Sequence, residues 1–432
     1  MQATPLTGSD RTFLILQGPH GPFIGQATDA LRRTGAQVYR VGFNAGDRVF
    51  WGRRPGYIPY KGTVEEWPER FEGLCAELGV TDILIYGDTR PIHALAIRKA
   101  NPAGLCIHVL EEGYLRPYWS TYERQGSNGN SVLADMSVEQ MRARLGHMAD
   151  EHVEAPDHWG ALRAHMFWGA AYHFCVLVGN HGYRNLPPHR DVTVGHEFRL
   201  YVKKLSLMPW NWARNQVARA RIRRGAFPYH VGLLQLEHDA NFKAHSGFRS
   251  QTDFVRQVLA GFAKGAPRHH HLVFKAHPLE DGRASLGSAI RQYAHEFGIN
   301  GRVHYLTSGK LGALLDGATT AVTVNSTSAQ QVLWRGIPLK ALGRSVYQKP
   351  EFVSHQPMAE FFANPIPPDA DAYRTYRAFL LETSQFPGSY YSARGRRQLI
   401  RRLVDALLST ADPYGATYRA EPKTGAAEQQ HI

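Results

Sequence analysis

The chain of 432 residues is 43% hydrophobic and 20% charged, which excludes a mainly disordered or fibrous protein. That length allows two large domains or three small ones. Its 50 Lys and Arg against 37 Asp and Glu leave a formal charge of +13 before any of the 22 His protonate, so an anionic partner is expected: nucleic acid, a membrane surface or a phosphorylated substrate. Cys75, Cys106 and Cys175 are too few and too scattered for a disulfide framework, and no CxxC pair suggests zinc.

Short β-rich apolar runs alternate with helical patterns from the start, the signature of βαβ units and a parallel sheet. Strands are expected near Thr12–Gln17, Gln37–Gly42, Thr81–Gly87 and Leu105–Leu110, with a helix over Ile24–Thr34 closed by Gly35. The first residues lack a basic region followed by an apolar one, so no secretion signal is expected. The stretch Ala164–Tyr183 is free of Asp, Glu, Lys and Arg but holds three His and three Gly. It is a poor membrane span and reads either as a buried helix or as an interfacial patch. Then comes a basic segment, Arg199–Gly225, with Leu205, Leu207, Met208, Trp210 and Trp212 among its Arg and Lys and no acid before Glu237. It is either a solvated linker helix or an anchor on anionic lipid. Strands resume near His230–Leu236, His271–Ala276, Arg302–Leu306, Thr320–Val324 and Ile337–Ala341. A second basic cluster (Arg394, Arg396, Arg397, Arg401, Arg402) falls on the expected C-terminal helix, and the tail after Tyr418 reads as disordered.

Two α/β halves predict two Rossmann-like domains facing across a cleft, with ligands beyond the carboxyl ends of the strands. Strand one runs into Gln17-Gly18-Pro19-His20-Gly21-Pro22-Phe23, either a structural turn or a place where backbone approaches a ligand. It matches neither a dinucleotide fingerprint nor a phosphate-binding GK[ST] loop. Strand three ends in Tyr86-Gly87-Asp88-Thr89-Arg90-Pro91, where Asp88 is a helix cap or a cleft acid. Strand four ends in Glu111-Glu112-Gly113-Tyr114-Leu115-Arg116-Pro117. Adjacent side chains on a strand point opposite ways, so only one of the two glutamates should face the cleft. In the second half, Lys275-Ala276-His277-Pro278 supplies a cation and an imidazole, and Asn325-Ser326-Thr327-Ser328 supplies hydroxyls at an expected helix start. Together they suit a phosphate without calling for a metal, although a Ser/Thr run before a helix is often only a cap. The triplet His269-His270-His271 reads as a solvated turn.

The motifs QGPxGPF, YGDxRPxH, EEGYLRP, KxHP and NSTS, in that order from about Leu14 to Tyr391, resemble the capsule polysaccharide biosynthesis and export proteins of the KpsS/LipB type, bacterial β-Kdo transferases. The resemblance implies a GT-B-like α/β architecture and a retaining transfer of Kdo from CMP-Kdo to a (lyso)phosphatidylglycerol acceptor, starting the poly-Kdo linker of a capsule. It implies no cofactor and no metal. Lys275, His277, Pro278, Asn325, Ser326, Thr327 and Ser328 would hold the donor, and Arg116 its carboxylate. Glu112 would be the nucleophile with Glu111 supporting it, and Asp88 or His20 the base. Gln17, Gly18, Gly21 and Arg90 would line the acceptor side.

The expected organisation is an N-terminal domain over 1–185, a basic membrane-contact linker over 186–228, a CMP-sugar domain over 229–385, a helical segment over 386–418 and a disordered tail over 419–432. The setting is cytoplasmic, peripheral on the inner membrane, with other capsule proteins as further partners. A nucleic-acid partner is not expected, because no RNP, KH or helix-turn-helix signature appears and strand-end carboxylates repel phosphate backbones. The rival readings are a non-catalytic export or glycolipid-binding protein and a different GT-B nucleotide-sugar enzyme.

Overall fold

The run Thr12–Ile15 is buried at every position, as a strand covered on both faces must be, and it forms β1 in the interior of a seven-stranded sheet. The computed structural model describes residues 7–116, 119–146, 162–186, 206, 208–278, 280, 282 and 284–415, with the side chains of 162, 208–212, 214, 219 and 223 excepted. Around β1 the first sheet adds β2 (Gln37–Gly42), β3 (Tyr57–Pro59), β4 (Asp82–Tyr86), β5 (Cys106–Glu112), β6 (Trp119–Arg124) and, from the far end of the chain, β12 (Gln385–Pro387). The order is β12-β6-β5-β4-β1-β2-β3. The five strands β1 to β5 run parallel, whereas β6 pairs antiparallel with both β5 and β12.

The second sheet is entirely parallel: β7 (Tyr229–Leu233), β8 (His271–Lys275), β9 (Val303–Leu306), β10 (Ala318–Thr323) and β11 (Leu339–Ala341), in the order β11-β10-β7-β8-β9. The fold is therefore α/β and GT-B-like, two Rossmann-like sheets whose strand ends meet at a cleft. The helix after β1 spans Phe23–Arg33, and Gly35 closes it at φ +95°.

Packing divides the chain differently from the boundaries expected at 185 and 386. Helix Val138–Leu145 buries Val138, Met141 and Leu145 in one apolar cluster with Val332 and Tyr376 of the second half. The final helix, Ala393–Leu408, returns to the first sheet and buries Leu399, Leu403 and Leu407 beside Phe13, Ile15 and Leu31. Each half thus carries a segment from the other end of the chain, because each sheet needs a helix to cover an apolar face that its own neighbours leave open.

Of the basic segment, the part over Met208–Arg224 is a helix. It is fixed to the second domain: Asn215 exchanges hydrogen bonds with Thr307, giving 2.7 Å to its hydroxyl and accepting 2.9 Å from its N–H, and Ile222 is buried. Arg199, Lys203, Lys204 and the tail beyond Tyr418 lie outside the described residues.

Candidate active site

The first wall of the cleft is built on the carboxyl ends of β1, β4 and β5. Gly21 sits at φ +99°, and a Cβ there would meet Trp168 at 2.9 Å, so the QGPHGPF loop lies pressed beneath helix Leu162–Gly179. The His20 ring packs 4.5 Å from Tyr172 and 5.1 Å from His173 of that helix. Arg90 donates to Gln17 at 3.3 Å and lies over the Tyr86 ring at 5.4 Å. Gln17, Gly18, His20, Gly21 and Arg90 are thus brought together at one end of the cleft.

The two glutamates part company as strand geometry requires. Glu112 shares its face of β5 with Leu110 and accepts at Oε1 from Tyr86 at 2.9 Å and from Tyr391 at 3.0 Å. Glu111 turns the other way; Oε1 accepts the Glu112 N–H at 3.0 Å and Oε2 faces the Asn128 amide at 3.4 Å. Its carboxyl is pushed up to about 7: burial is the main cause, the Glu112 and Asp239 charges add to it, and the Glu112 N–H and Arg116 oppose it. Tyr390 fixes the backbone between them by donating to the Glu111 carbonyl at 2.8 Å. The glycine of the motif is sterically required, since a Cβ on Gly113 would fall 2.0 Å from the Trp119 carbonyl oxygen.

Asp88 is placed otherwise than a substrate-facing acid. It is 2% exposed, and its Oδ2 accepts the Ser127 N–H at 2.9 Å and the Asn130 amide at 3.1 Å. It anchors the 127–130 turn that carries Asn128, so a base role for it does not fit the geometry.

The second wall follows β8 and β10. Arg116, His277, Ser326, Thr327 and Ser328 converge on one polar pocket, with Tyr114, Asn128, Gln235, Asp239 and Gln330 completing its lining. Burial, then the Arg116 charge, push the His277 imidazole down to about 4, Lys275 and His238 adding to the effect and Asp239 opposing it. His277 is therefore neutral at pH 7 before any ligand binds and offers a hydrogen bond rather than a positive charge. Lys275 is 6% exposed and donates to the Ala276 carbonyl at 2.7 Å, so its ammonium stands behind the pocket, not in it. Pro278 only turns the chain. Asn325 is locked in place: it gives and receives bonds with Gln235, accepting at 2.8 Å and donating its N–H at 3.0 Å. The helix after Ser328 covers only Ala329–Leu333, so the binding capacity of this turn rests on its hydroxyls and N–H groups rather than on a helix dipole.

Sequence reasoning missed Tyr391, Gln235, Asp239 and Asn128. The first pairs over 279 residues of sequence and left no local sign, but Gln235 and Asn325 each stand two residues past the end of their strand, a repeated offset that was readable. Among the described residues, Asp82, Cys106 and His108 bring possible metal ligands within 4.8 Å of one another. They lie at the opposite end of the sheet, where Asp82 is already engaged by Arg11, by His108 at 2.8 Å and by Thr81 at 2.5 Å. The His triplet does not converge on one point either: His269 lies exposed on the turn before β8, as expected, whereas His270 pairs with His230 and His271 with His304, each at 2.9 Å.

A family model described as capsule polysaccharide biosynthesis protein matches residues 81–391. The chain is 30% identical over 399 residues to the capsule polysaccharide modification protein LipB of Neisseria meningitidis serogroup A, covering 90% of this chain and 93% of that one. It is 30% identical over 412 residues to the capsule polysaccharide export protein KpsS of Escherichia coli, covering 90% and 100%. Among solved structures, the beta Kdo 2,7 transferase KpsC of Thermosulfurimonas dismutans aligns over 92% of this chain and 99% of that one, at 11% identity and a TM-score of 0.43.

Proposed function

The chain belongs to the capsule polysaccharide biosynthesis protein family, and from that premise we propose that it is a retaining glycosyltransferase moving β-Kdo from CMP-Kdo to a (lyso)phosphatidylglycerol acceptor. One observation carries the reading: a pocket lined by Arg116, His277 and the hydroxyl turn Ser326–Ser328 opens at the end of the strand that closes on Glu112, a glutamate held by two phenols. A CMP-sugar presents a single phosphate, which a guanidinium, an imidazole N–H and a row of hydroxyls can match. Arg116 would take the Kdo carboxylate as well.

In this reading the Glu112 carboxylate attacks the anomeric carbon, the bond from that carbon to the phosphate oxygen breaks, and CMP leaves with the electron pair. The lipid hydroxyl then gives its proton to a base, attacks the same carbon and releases Glu112, so two inversions restore the β configuration. The phenols of Tyr86 and Tyr391 both donate to Oε1, which stabilises the anion and directs Oε2 at the sugar. His20, on the Gln17–Arg90 side, is the candidate base. Glu111, on the other face of the strand, meets Asn128, Arg116 and Asp239 of the pocket and would set the charge balance there. The acceptor being a membrane lipid, the protein would work at the cytoplasmic face of the inner membrane alongside other capsule proteins; among the described residues no helix is long and apolar enough to cross a membrane.

The test is mass spectrometry of lysophosphatidylglycerol incubated with the protein, CMP, Kdo and a CMP-Kdo synthetase that regenerates the donor. A product one Kdo heavier, lost in Glu112→Ala, supports the proposal. Intact CMP-Kdo with every lipid acceptor would favour a binding or export role, and stronger competition by UDP than by CMP would point to a different nucleotide-sugar enzyme.

A further inference from the structure

Helix Leu162–Gly179 has no Asp, Glu, Lys or Arg after Arg163, and the next such residue is Arg184. Its inner face is committed to the first domain: His165 stacks on Tyr391 at 4.2 Å, Trp168 donates to the Tyr391 carbonyl at 3.2 Å, and Tyr172 donates to Asp47 at 3.1 Å. A solvent-facing helix would turn polar groups outward. This one turns out Met166, Phe167, Phe174, Leu177 and Val178, each between 57% and 65% exposed, and Val49 on the adjoining helix Ala45–Trp51 extends the patch at 56%. Of the two readings the sequence left open for this stretch, the buried helix fails, because one whole face has nothing over it among the described residues.

We infer that this face seats the protein on an anionic phospholipid bilayer, with the helix lying in the plane of the interface. The inference rests on the lipid-acceptor reading above and deepens it. The charges around the stripe favour this occupant. Arg163 and Arg184 stand exposed at its two ends, and Lys61 is held beside the latter through Asn185, whose amide donates to the Lys61 carbonyl at 2.8 Å. Arg48 is exposed on the adjoining helix, while Asp47 next to it is 1% exposed and paired with Arg40 at 2.9 Å. At the other flank Arg394 and Arg397 are exposed, within one turn of Arg396, whose guanidinium lies 6.0 Å from the Trp168 ring. An apolar stripe rimmed by basic side chains complements a negatively charged headgroup layer, whereas a second copy would bring the same charges face to face. The geometry also serves the chemistry: His20 and Tyr391 pack on the inner face of the same helix, so a headgroup has to pass about one helix diameter, about 10 Å, from the bilayer to the acceptor side of the cleft.

The test is flotation of the full chain with vesicles of phosphatidylglycerol in phosphatidylcholine, and with phosphatidylcholine alone. The native protein should float with the anionic vesicles and less with the neutral ones. Phe174→Glu with Leu177→Glu, both at exposed positions, should lower the bound fraction about tenfold while leaving the thermal midpoint and CMP affinity unchanged. Equal flotation of native and variant protein overturns the inference, as does a native dimer that the variant abolishes. Flotation needs neither donor nor turnover, so a failed transferase assay would leave this result standing, and a failed flotation would leave the assay on detergent-dispersed acceptor standing.

Discussion

Tyr391 and Glu112 are separated by 279 residues of sequence, yet the phenol of one donates to Oε1 of the other at 3.0 Å. The neighbouring Tyr390 reaches the Glu111 carbonyl at 2.8 Å, so two consecutive tyrosines hold two consecutive glutamates. Those tyrosines lie on the returning end of the chain, just before helix Ala393–Leu408. The carboxylate is therefore oriented only once that segment has docked on the first sheet.

Tyr391→Phe removes one hydrogen bond to a charged group, worth about 1.5–3 kcal/mol, and leaves the ring stack on His165 intact. If Glu112 is the nucleophile proposed above, the bond orients it rather than the donor, and kcat should fall at least about tenfold with little change in KM for the proposed donor, CMP-Kdo. Steady-state kinetics check this; an unchanged kcat would remove Tyr391 from the site.

Much of the frame was legible because it is local. Short β-rich apolar runs with turn residues between them located the central parallel strands of both sheets, and side-chain alternation on β5 separates Glu111 from Glu112 on sequence alone. What was not legible depends on distant pairing. β6 (Trp119–Arg124) is buried throughout, including Glu123 and Arg124, so its charges mask the strand pattern. β12 is three residues long and exists only because the chain crosses back. Asp88 and Lys275 looked like cleft residues from their strand-end positions, but burial turned one onto the 127–130 turn and the other onto its own backbone.

Glu123 makes a pH prediction. It is fully buried and receives hydroxyl donors from Tyr114, Ser131 and Tyr414, yet burial still pushes its carboxyl up to about 7. The unfolded chain releases this proton near pH 4.3, so the folded state holds it longer. Its stabilising contribution is complete below that value, declines as pH rises to about 7, and is then lost. Glu123→Gln should remove this decline, so the variant gains about 4 kcal/mol on the native protein between those limits, at about 1.4 kcal/mol for each tenfold difference in proton affinity between the folded and unfolded chain. Denaturant titrations across the range measure the difference, which also subtracts the opposite slopes of His230, His277 and His304. A difference that stays flat with pH would contradict the assignment.

His277 makes a second. Its imidazole is held near 4 in the free protein, and a bound phosphate would favour the protonated ring. Binding then takes up a proton, so CMP affinity should rise as pH falls from 8 towards 5, by at most about tenfold per pH unit. His277→Asn should lose that share of the slope and keep only the part belonging to the phosphate's own titration. Calorimetry in two buffers of different ionisation enthalpy counts the protons; identical uptake in both proteins would mean that His277 does not contact the phosphate.

Leu403 tests whether docking of the last helix supports the site. It is fully buried in the cluster with Phe13, Ile15 and Leu31, and nothing in the nucleotide pocket touches it. Leu403→Ala should cost about 2–5 kcal/mol of stability through the cavity it leaves. Because the same helix follows Tyr390 and Tyr391, loosening it should also lower kcat at temperatures where the protein is still folded. CMP affinity, which the pocket around Arg116, His277 and Ser326–Ser328 would supply, should remain near native. Thermal melts, kinetics and CMP titration on the one variant separate these effects; a loss of CMP affinity equal to the loss of kcat would show that the helix acts on the whole fold and not through the tyrosine pair.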